Sequence, residues 1–588
     1  MAFPAIYLTG LATARRLVDA DLTRVLAPVL ALSIWLIAIH ILALATASFF
    51  SGLTLGTLVT ACAYPFIVSS NYTLSKTQQS RRSYFVRLAV VMLATLPVVW
   101  MAIGWNFHDE IILTGHRSIP AQILNDIYPP RHLSFPAQEL GYHYGFNLLT
   151  ACISAIFRIP VWLAIDVASI SLWFLTACLL GAMGDRLLGR RYGWIAIIAV
   201  LFGGGIPFCL SGGPHGMGDV LGFCRINQLN INIPIISNFF QYPWALGYPL
   251  SIATWLVFIE AKPGNVRLIV LSMLMVVLAF SQVVMFLVLA TGLGICELWT
   301  HLRERRSKYE LFSLIASGVV VIIIVIGIGG FFRATPWQGS MPFQFRPGIA
   351  PGHNLMWHLQ SFGVMLPLGI LGFFTLPSKA RTPLIICTAI CLVVLNFLEY
   401  RYSHDGVKFG VGAGLALGIG AAAGIAFIAK HARPAVMVLV LAMNSAAGIA
   451  FAFAFCFLRT PPWKFEEVML ASDDAQAANF LRGRVRGSEV VYRRPERCGG
   501  YVLLAGLPTV WIDWGVTGFG FPVEWTVDRA KILLTNPAQA SAWKSKGIVW
   551  FVLEQSDVVL NARADTWILA GDAVEAARFG DVRIVNIR

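Results

Sequence analysis

Apolar runs of about eighteen or more residues recur along the chain as far as residue 458, and short turns rich in Lys and Arg separate many of them. A backbone inside lipid must bond its own N–H and C=O groups, so runs of this length fold as spanning helices. The 588-residue chain is 57% hydrophobic with a mean hydropathy of +0.71, too apolar to hide such runs in a water-soluble core. The expectation is a polytopic α-helical membrane protein.

The basic turns set its sidedness. Arg15, Arg16 and Arg24 precede a first apolar run at about 25–48. That run is too long for a signal-peptide core and lacks a small-residue cleavage site, so it reads as a retained span. Further spans are expected at about 52–69, 88–106, 161–182, 192–210 and 243–260, with two short ones across 268–300 that bend near Ser281-Gln282. Others follow at about 311–332, 359–376, 384–400, 410–429 and 434–458, about thirteen in all. The turns bearing Lys76 to Arg87, GDRLLGRR ending at Arg191, Lys262 with Arg267, HLRERRSKYE at 301–310, Lys379 with Arg381, and Lys430 with Arg433 then share one side. Basic turns stay in the cytoplasm, which puts the N-terminus inside and the C-terminus outside, as in a multi-pass protein of the inner (plasma) membrane.

The run GFNLLTACISAIFRIP after Tyr144 is apolar but short. Counting it as a span would put GDRLLGRR outside, so it reads as an interfacial helix. The formal charge of +14 lies in these turns, which argues against nucleic acid as a partner. Ten cysteines are scattered without a CxxC pair. Cys209 and Cys224 flank one outer loop, where a disulfide or two independent thiols both fit.

From Arg459 the character changes. SEVVYR, LPTVWID, GIVWFVLEQ and DVRIVNI are β-rich. ASDDAQAANFLRGRV, FPVEWTVDRAKILLTN and PAQASAWKSK read as helical, with Ser472 or Asp473 as a cap. The expected organisation is a membrane domain over 1–458, including an outer loop at 107–160, followed by a small α/β domain over 459–588 on the outer face.

Chemistry concentrates in the outer loops. Between Trp105 and Gly145 lie His108, Asp109, Glu110, His116, Arg117, Asp126, Arg131, His132, Glu139 and His143, in a chain only 13% charged. Arg225 lies in the next loop. Arg333, Arg346 and His353 share a third, and Glu399, Arg401, His404, Asp405 and Lys408 a fourth. A carboxylate such as Asp109 or Glu110 can take a proton from an acceptor hydroxyl, and Arg333, Arg346 and Lys408 can hold a departing phosphate. His116, Arg131, Glu139, His143 and Asp405 are the candidates for holding substrate. Each has an alternative: the acidic pair as a helix cap, Lys408 as a snorkelling interfacial cation, the loop histidines as solvated residues. Asp126 and Arg131 can pair with each other, and Asp166 inside a span is either functional or a helix–helix bond. Trp511, Trp514, Phe519 and Phe521 are either sugar-stacking or core residues.

Three places make the chain resemble the GT-C superfamily of integral-membrane glycosyltransferases, in particular the protein mannosyltransferase-like and aminoarabinose transferase-like enzymes. They are Asp109-Glu110 at the head of the first large outer loop, the order YPP, FRIP, GDRLLGRR behind it, and HDGVKFG at 404–410, similar to a D-x-x-K element that opens a late span. The resemblance implies a polyprenyl-phosphate sugar (hexosyl) donor, a lipid, glycan or protein hydroxyl as acceptor, and a periplasmic active site with Asp109 as base. Metal-free chemistry and a divalent cation are both compatible with it. Those families place the acidic loop after the first span, whereas here two further spans precede it, and the resemblance assigns no role to His108 ahead of the pair.

Two rival readings are carried. A lipid-linked sugar flippase or transporter predicts ionisable residues deep in the spans and matching halves. An O-antigen-ligase-like enzyme would rely on Arg and His in the loop at 333–358.

Overall fold

The computed structural model describes residues 2–67, 81–102, 117–205, 234–236, 242–305, 307–328, 330–334, 343–346, 355–400, 404–458, 472–493, 506–510 and 531–588. Cys209, Cys224, Arg225, His353, Arg401 and the aromatic group from Trp511 to Phe521 lie outside these residues.

Among them, seven helices are long and apolar enough to cross a membrane. In chain order these are α2 (Ala20–Thr46), α7 (Val161–Leu188), α11 (Val283–Glu304), α12 (Lys308–Ile328), α16 (Ser378–Phe397), α17 (Lys408–His431) and α18 (Pro434–Leu458). An eighth candidate is the pair α14 (Leu355–Phe362) and α15 (Met365–Thr375), bent by 81°. Helices also stand at four of the other expected spans, α3 (Phe49–Ile67), α4 (Arg81–Ala102), α9 (Tyr242–Glu260) and α10 (Asn265–Ser281), and at 192–210 the described helix, α8 (Gly193–Leu201), is only nine residues long. The short apolar run before Arg158 is helix α6 (Gly145–Phe157), ended by Arg158 in the left-handed region (φ 53°) ahead of Pro160.

One element was not expected. Within residues 1–24, the short stretch with three arginines ahead of the first expected span, Ala2–Arg15 forms helix α1, which folds back along α2. Thr9 Oγ1 donates to the Thr60 carbonyl at 2.9 Å, and Gly10 sits where a Cβ would lie 2.3 Å from the Ala27 oxygen. Fourteen residues are too few for a span, so a hydropathy window passes over them. Asp19 then caps α2, accepting from the Leu22 N–H at 3.2 Å.

The span expected at 359–376 is also not one straight helix. It bends at Gly363 (φ 55°), against the Gly203–Gly205 segment that ends α8. The irregular backbone there is bonded: Gly204 N–H donates to Asn444 O at 3.1 Å, Gly205 N–H to Ser361 O at 2.9 Å, and Gly448 N–H to Phe202 O at 3.1 Å.

The bundle closes around α17. Every residue from Phe409 to Ala426 is buried. Its glycines meet those of α15, where a Cβ on Gly372 would lie 1.7 Å from the Gly420 oxygen and one on Gly424 2.5 Å from the Leu368 oxygen. By contrast, only 11% of the apolar stretch of α12 is buried.

Ion pairs gather the basic turns at one end. Arg87 pairs with Asp185 and Arg186 with Asp19, while Arg190 reaches Asp21 at 2.8 Å and Lys379 reaches Glu260 at 3.0 Å. These contacts bring together the starts of α2, α4 and α16 and the ends of α7 and α9.

The C-terminal region holds a four-stranded sheet in the order β3-β4-β6-β5, with β3 Val490–Tyr492, β4 Ile548–Leu553, β5 Ala573–Phe579 and β6 Val582–Ile587. β3 and β4 are parallel; β4–β6 and β6–β5 are antiparallel. Trp543 of α20 (Ala540–Lys544) and Trp567 of α21 (Val558–Leu569) pack with Phe551 on one face. Leu481 of α19 (Ser472–Leu481) packs with Val552 and Ile584 on the other. β5 was not expected. A short strap at 506–510 runs beside β3, where Val491 N–H donates to Pro508 O at 2.8 Å, and it also touches the membrane region, where Thr509 N–H donates to Leu133 O at 2.8 Å.

Two outcomes are expected. Gly372→Ala drives a methyl into the α17 backbone and costs about 1–3 kcal/mol, read as a lower Tm of the detergent-purified protein. Gly318→Ala, on the exposed side of α12 with nothing within 4 Å, leaves Tm unchanged. In the sheet, the Arg578 hydrogen bond first, and then the Arg583 charge, hold the Glu575 carboxyl below its ordinary range despite partial burial. Its contribution is therefore full above the ordinary carboxylate value and is lost as pH falls through the depressed folded value. Hydrogen-exchange protection of β5–β6 should drop on acidification, and Glu575→Gln should flatten that dependence.

Candidate functional site at the loop end of the bundle

The end opposite the basic turns is built on residues 117–144. Arg117 stands before helix α5 (Ser118–Leu124), whose Pro120 fits the first turn, where no intrahelical N–H bond is lost. Behind it the chain folds into a small hairpin. Arg131 and Glu139 form a β-bridge, Leu140 N–H donates to Pro130 O at 2.9 Å, and Gln122 Oε1 accepts from Arg131 N–H at 2.8 Å. His132 Nδ1 accepts from the N–H groups of Ser134 and Phe135, both at 3.1 Å, so the neutral ring carries its proton on Nε2. Asp126, in the left-handed region (φ 61°), caps α3: its Oδ1 accepts from Phe49 N–H at 2.7 Å and from Ser48 Oγ at 3.0 Å. The carboxylate that sequence reasoning offered to Arg131 is thus engaged at a helix start.

The loop is pinned to the bundle by a buried histidine. His40, near the far end of α2, is 1% exposed. Its Nε2 lies 2.6 Å from the Ile328 carbonyl and its Nδ1 2.5 Å from the Tyr128 hydroxyl. A carbonyl only accepts, so Nε2 carries the proton, and Nδ1 of the neutral ring accepts from Tyr128. Phe280 stacks on the imidazole at 4.1 Å, and Tyr144 meets it edge-on at 5.8 Å. One side chain therefore joins α2, the hairpin loop, the end of α10 and the end of α12. Nearby, Asp166 on α7 lies in the field of Arg117, and both are 7% exposed.

The candidate residues fall into three groups. Asp109, Glu110 and His116, with His108, lie outside the described residues, between Ala102 at the end of α4 and Arg117. Arg131, Glu139 and His143 are on the loop just described; His143 is 8% exposed and stacks on Tyr142 at 4.1 Å. Arg333 belongs to short helix α13 (Gly330–Ala334), whose Gly330 fits against the Tyr142 carbonyl and Tyr144 ring so tightly that a Cβ would lie 2.3 Å from that carbonyl.

The third group is built on a two-stranded ribbon, β1 (Phe343–Phe345) with β2 (Leu398–Tyr400). Arg346 makes a two-pronged pair with Glu399: Nη2 to Oε1 at 2.7 Å and Nε to Oε2 at 2.9 Å. Asp405 is in the 3₁₀ turn His404–Val407, and Lys408 opens α17 directly behind it. The start of α11 is the wall common to both described groups. Phe286 packs on Phe332 of α13 at 5.7 Å, and Met285 Sδ would lie 3.1 Å from a Cβ on Gly412, one turn beyond Lys408.

Sequence reasoning did not single out His40, Tyr128 or Tyr144. A lone histidine in an apolar span was the available signal for the first; the tyrosines carried none. Among the described residues no three His, Cys, Asp or Glu side chains are grouped to hold a metal.

No family model and no curated protein matches the chain. Among solved structures it is similar to the crystal structure of ArnT from Cupriavidus metallidurans bound to undecaprenyl phosphate, at 12% identity and a TM-score of 0.46, over 86% of this chain and 98% of that one.

The pinning role of His40 is testable. His40→Phe should cost about 1–3 kcal/mol for each polar partner it strands, the Ile328 carbonyl and the Tyr128 hydroxyl. Tyr128→Phe added to His40→Phe should recover part of that loss in thermal unfolding, because the second stranded group is then gone. Strict additivity of the two changes would count against the bond.

Proposed function

We propose that the chain is a membrane glycosyltransferase that moves a sugar from a polyprenyl-phosphate donor to an acceptor hydroxyl at the outer, periplasmic face. The supporting observation is one of placement. Both ends of the segment carrying Asp109-Glu110, the hairpin with Arg131 and Glu139, the helix with Arg333 and the ribbon with Arg346 and Lys408 belong to the end of the bundle opposite the basic turns. Acids and cations drawn from loops far apart in sequence meet the needs of this reaction.

In this reading Asp109 takes the proton of the acceptor hydroxyl as its oxygen attacks the anomeric carbon. The bond from that carbon to the phosphate oxygen breaks, and the lipid phosphate leaves with the electron pair. Lys408 and Arg333 stabilise the charge that develops on it. The pair with Glu399 holds the Arg346 guanidinium in a fixed plane on the ribbon, whose second strand packs on the 404–407 turn ahead of Lys408, which suits it to orienting the headgroup. Glu110 stands beside Asp109 as second acid, and His116, Arg131, Glu139, His143 and Asp405 line the approach of the sugar or acceptor. The C-terminal α/β region would then lie in the outer compartment, its 506–510 strap resting on the loop.

The test is transfer of label. Purified protein is incubated with a panel of radiolabelled polyprenyl-phosphate sugars and an extract of membrane lipids and glycans. One donor should be consumed, and Asp109→Asn, with unchanged Tm, should lose activity by about 10²–10⁴-fold. Lys408→Met should weaken donor use. Binding of a donor without cleavage of its sugar–phosphate bond, acceptors being present, would favour the flippase reading. Full activity in Asp109→Asn would move the base to Glu110 or the 399–408 element.

A further inference from the structure

A second polar site lies at the other end of the bundle and has no part in the chemistry above. A cavity of about 200 Å³ opens between the 263–265 turn, α10, the last turns of α11 and the first turns of α12. Its lining includes Asn265, Arg267, Glu297, His301, Glu310 and Ser313. A water occupies about 30 Å³ of liquid, so the space exceeds a single bound water, and it falls short of the ~300 Å³ of small pockets for whole organic ligands. It has the size of a headgroup.

The groups inside are charged and deeply set. Arg267 pairs with Glu297, their side chains 7% and 13% exposed, and its guanidinium lies over the Phe258 ring at 5.0 Å. His301, one turn after Glu297, is 9% exposed and lines the cavity, so its imidazole is set within reach of a group held in this space. The first turn of α10 adds N–H groups: its cap is Gly264, with no side chain to bond them and nothing within 4 Å of its Cβ position. At the mouth, Glu310 takes part in a capping box, its N–H bonded by Ser307 Oγ at 3.3 Å, and keeps its carboxylate exposed.

The surroundings identify the kind of ligand. Leu268 and Leu314 form the apolar part of the lining. Beyond them run side chains turned away from the protein: Ile269, Leu302, Phe312 and Ile315 are all more than half exposed. Trp299 and Tyr309, at 61% and 86% exposed, stand at this level as aromatics do at a membrane interface. A head seated in the cavity thus has its tail on the lipid-facing side of α12.

We infer that this cavity binds the headgroup of a membrane aminophospholipid, with the phosphate on Arg267, His301 and the start of α10, and the ammonium on Glu310. The presence of both signs in one small cavity selects a zwitterion over a purely anionic lipid, and the apolar flank selects a lipid over a soluble zwitterion.

The test is native mass spectrometry of the full chain released from nanodiscs. These contain equimolar phosphatidylethanolamine, phosphatidylglycerol and phosphatidylcholine, and O-phosphoethanolamine is added in a parallel arm. One phosphatidylethanolamine should be retained over each competitor by about tenfold or more, as expected when a charge-assisted bond is lost. Glu310→Gln and His301→Leu should each abolish that preference; Arg267 is left intact because breaking its buried pair threatens the fold. Equal retention of all three lipids would overturn the inference, as would an unchanged preference in both variants. Displacement of the lipid by O-phosphoethanolamine at equal concentration would overturn the lipid source. No outcome depends on the glycosyltransferase reading, because transfer is not measured.

Discussion

Lipid tails are as apolar as leucine, so a helix in a bilayer gains little by leaving them for another helix. What holds this bundle is close approach, and the glycines of α15 and α17 permit it. At Gly372 and Gly424 the neighbouring backbone fills the space of a side chain. The same device brings α1 onto α2 at Gly10 and α3 onto α2 at Gly52 and Gly56. The site elements hang on this frame: Lys408 is the first residue of the most buried helix, and the ribbon that carries Arg346 closes on the end of α16, its neighbour.

Close packing is compatible with broken helices only if every freed backbone group finds a partner. The breaks here obey that rule in different ways. At the end of α8, Gly203–Gly205 bonds to α14 and α18 through main-chain groups. At the end of α12 the partner is a side chain, since His40 takes the Ile328 carbonyl. The second solution has a consequence the first lacks. The imidazole has a second nitrogen, and it holds Tyr128, so the end of an apolar helix and the 117–144 loop are joined by one group. The loop's order then follows from the membrane core and not from contacts with water.

Much of this was legible in the sequence, for reasons that can be named. Basic turns are positioned by a rule that acts on composition, so the end at which Arg87, Arg186 and Lys379 meet could be foreseen from their spacing. The helix at 145–157 was legible as an apolar run too short for a span. Other features were not. α1 is shorter than any window that detects spans. The bend at Gly363 depends on Gly205, distant in sequence, and no local pattern records it. β5 reads AVEAARF, rich in helix formers, and becomes a strand because β6 offers it a partner. Asp126 looked like the partner of Arg131 five residues on, but the start of α3 competes for the same carboxylate with unpaired N–H groups, and it wins. As for the site, residue types and loop order were readable; the Arg346–Glu399 pair was not, because it forms across a ribbon whose strands are more than fifty residues apart.

Charge is spent differently at the two ends. At the basic end the cations are matched: Asp19, Asp21, Asp185 and Glu260 each take an Arg or Lys. Such pairs add little stability where they are exposed, but they tie five helices at one level and leave less field to draw a soluble anion there. The excess of cations in these turns is thus partly neutralised where the helices meet. Two further arginine pairs of the helical region differ in surroundings. Arg267–Glu297 is buried beside a cavity, where removing either partner would strand a charge, whereas Arg346–Glu399 stays half-open to water on a ribbon, where the pair adds little stability and mainly fixes the plane of the guanidinium.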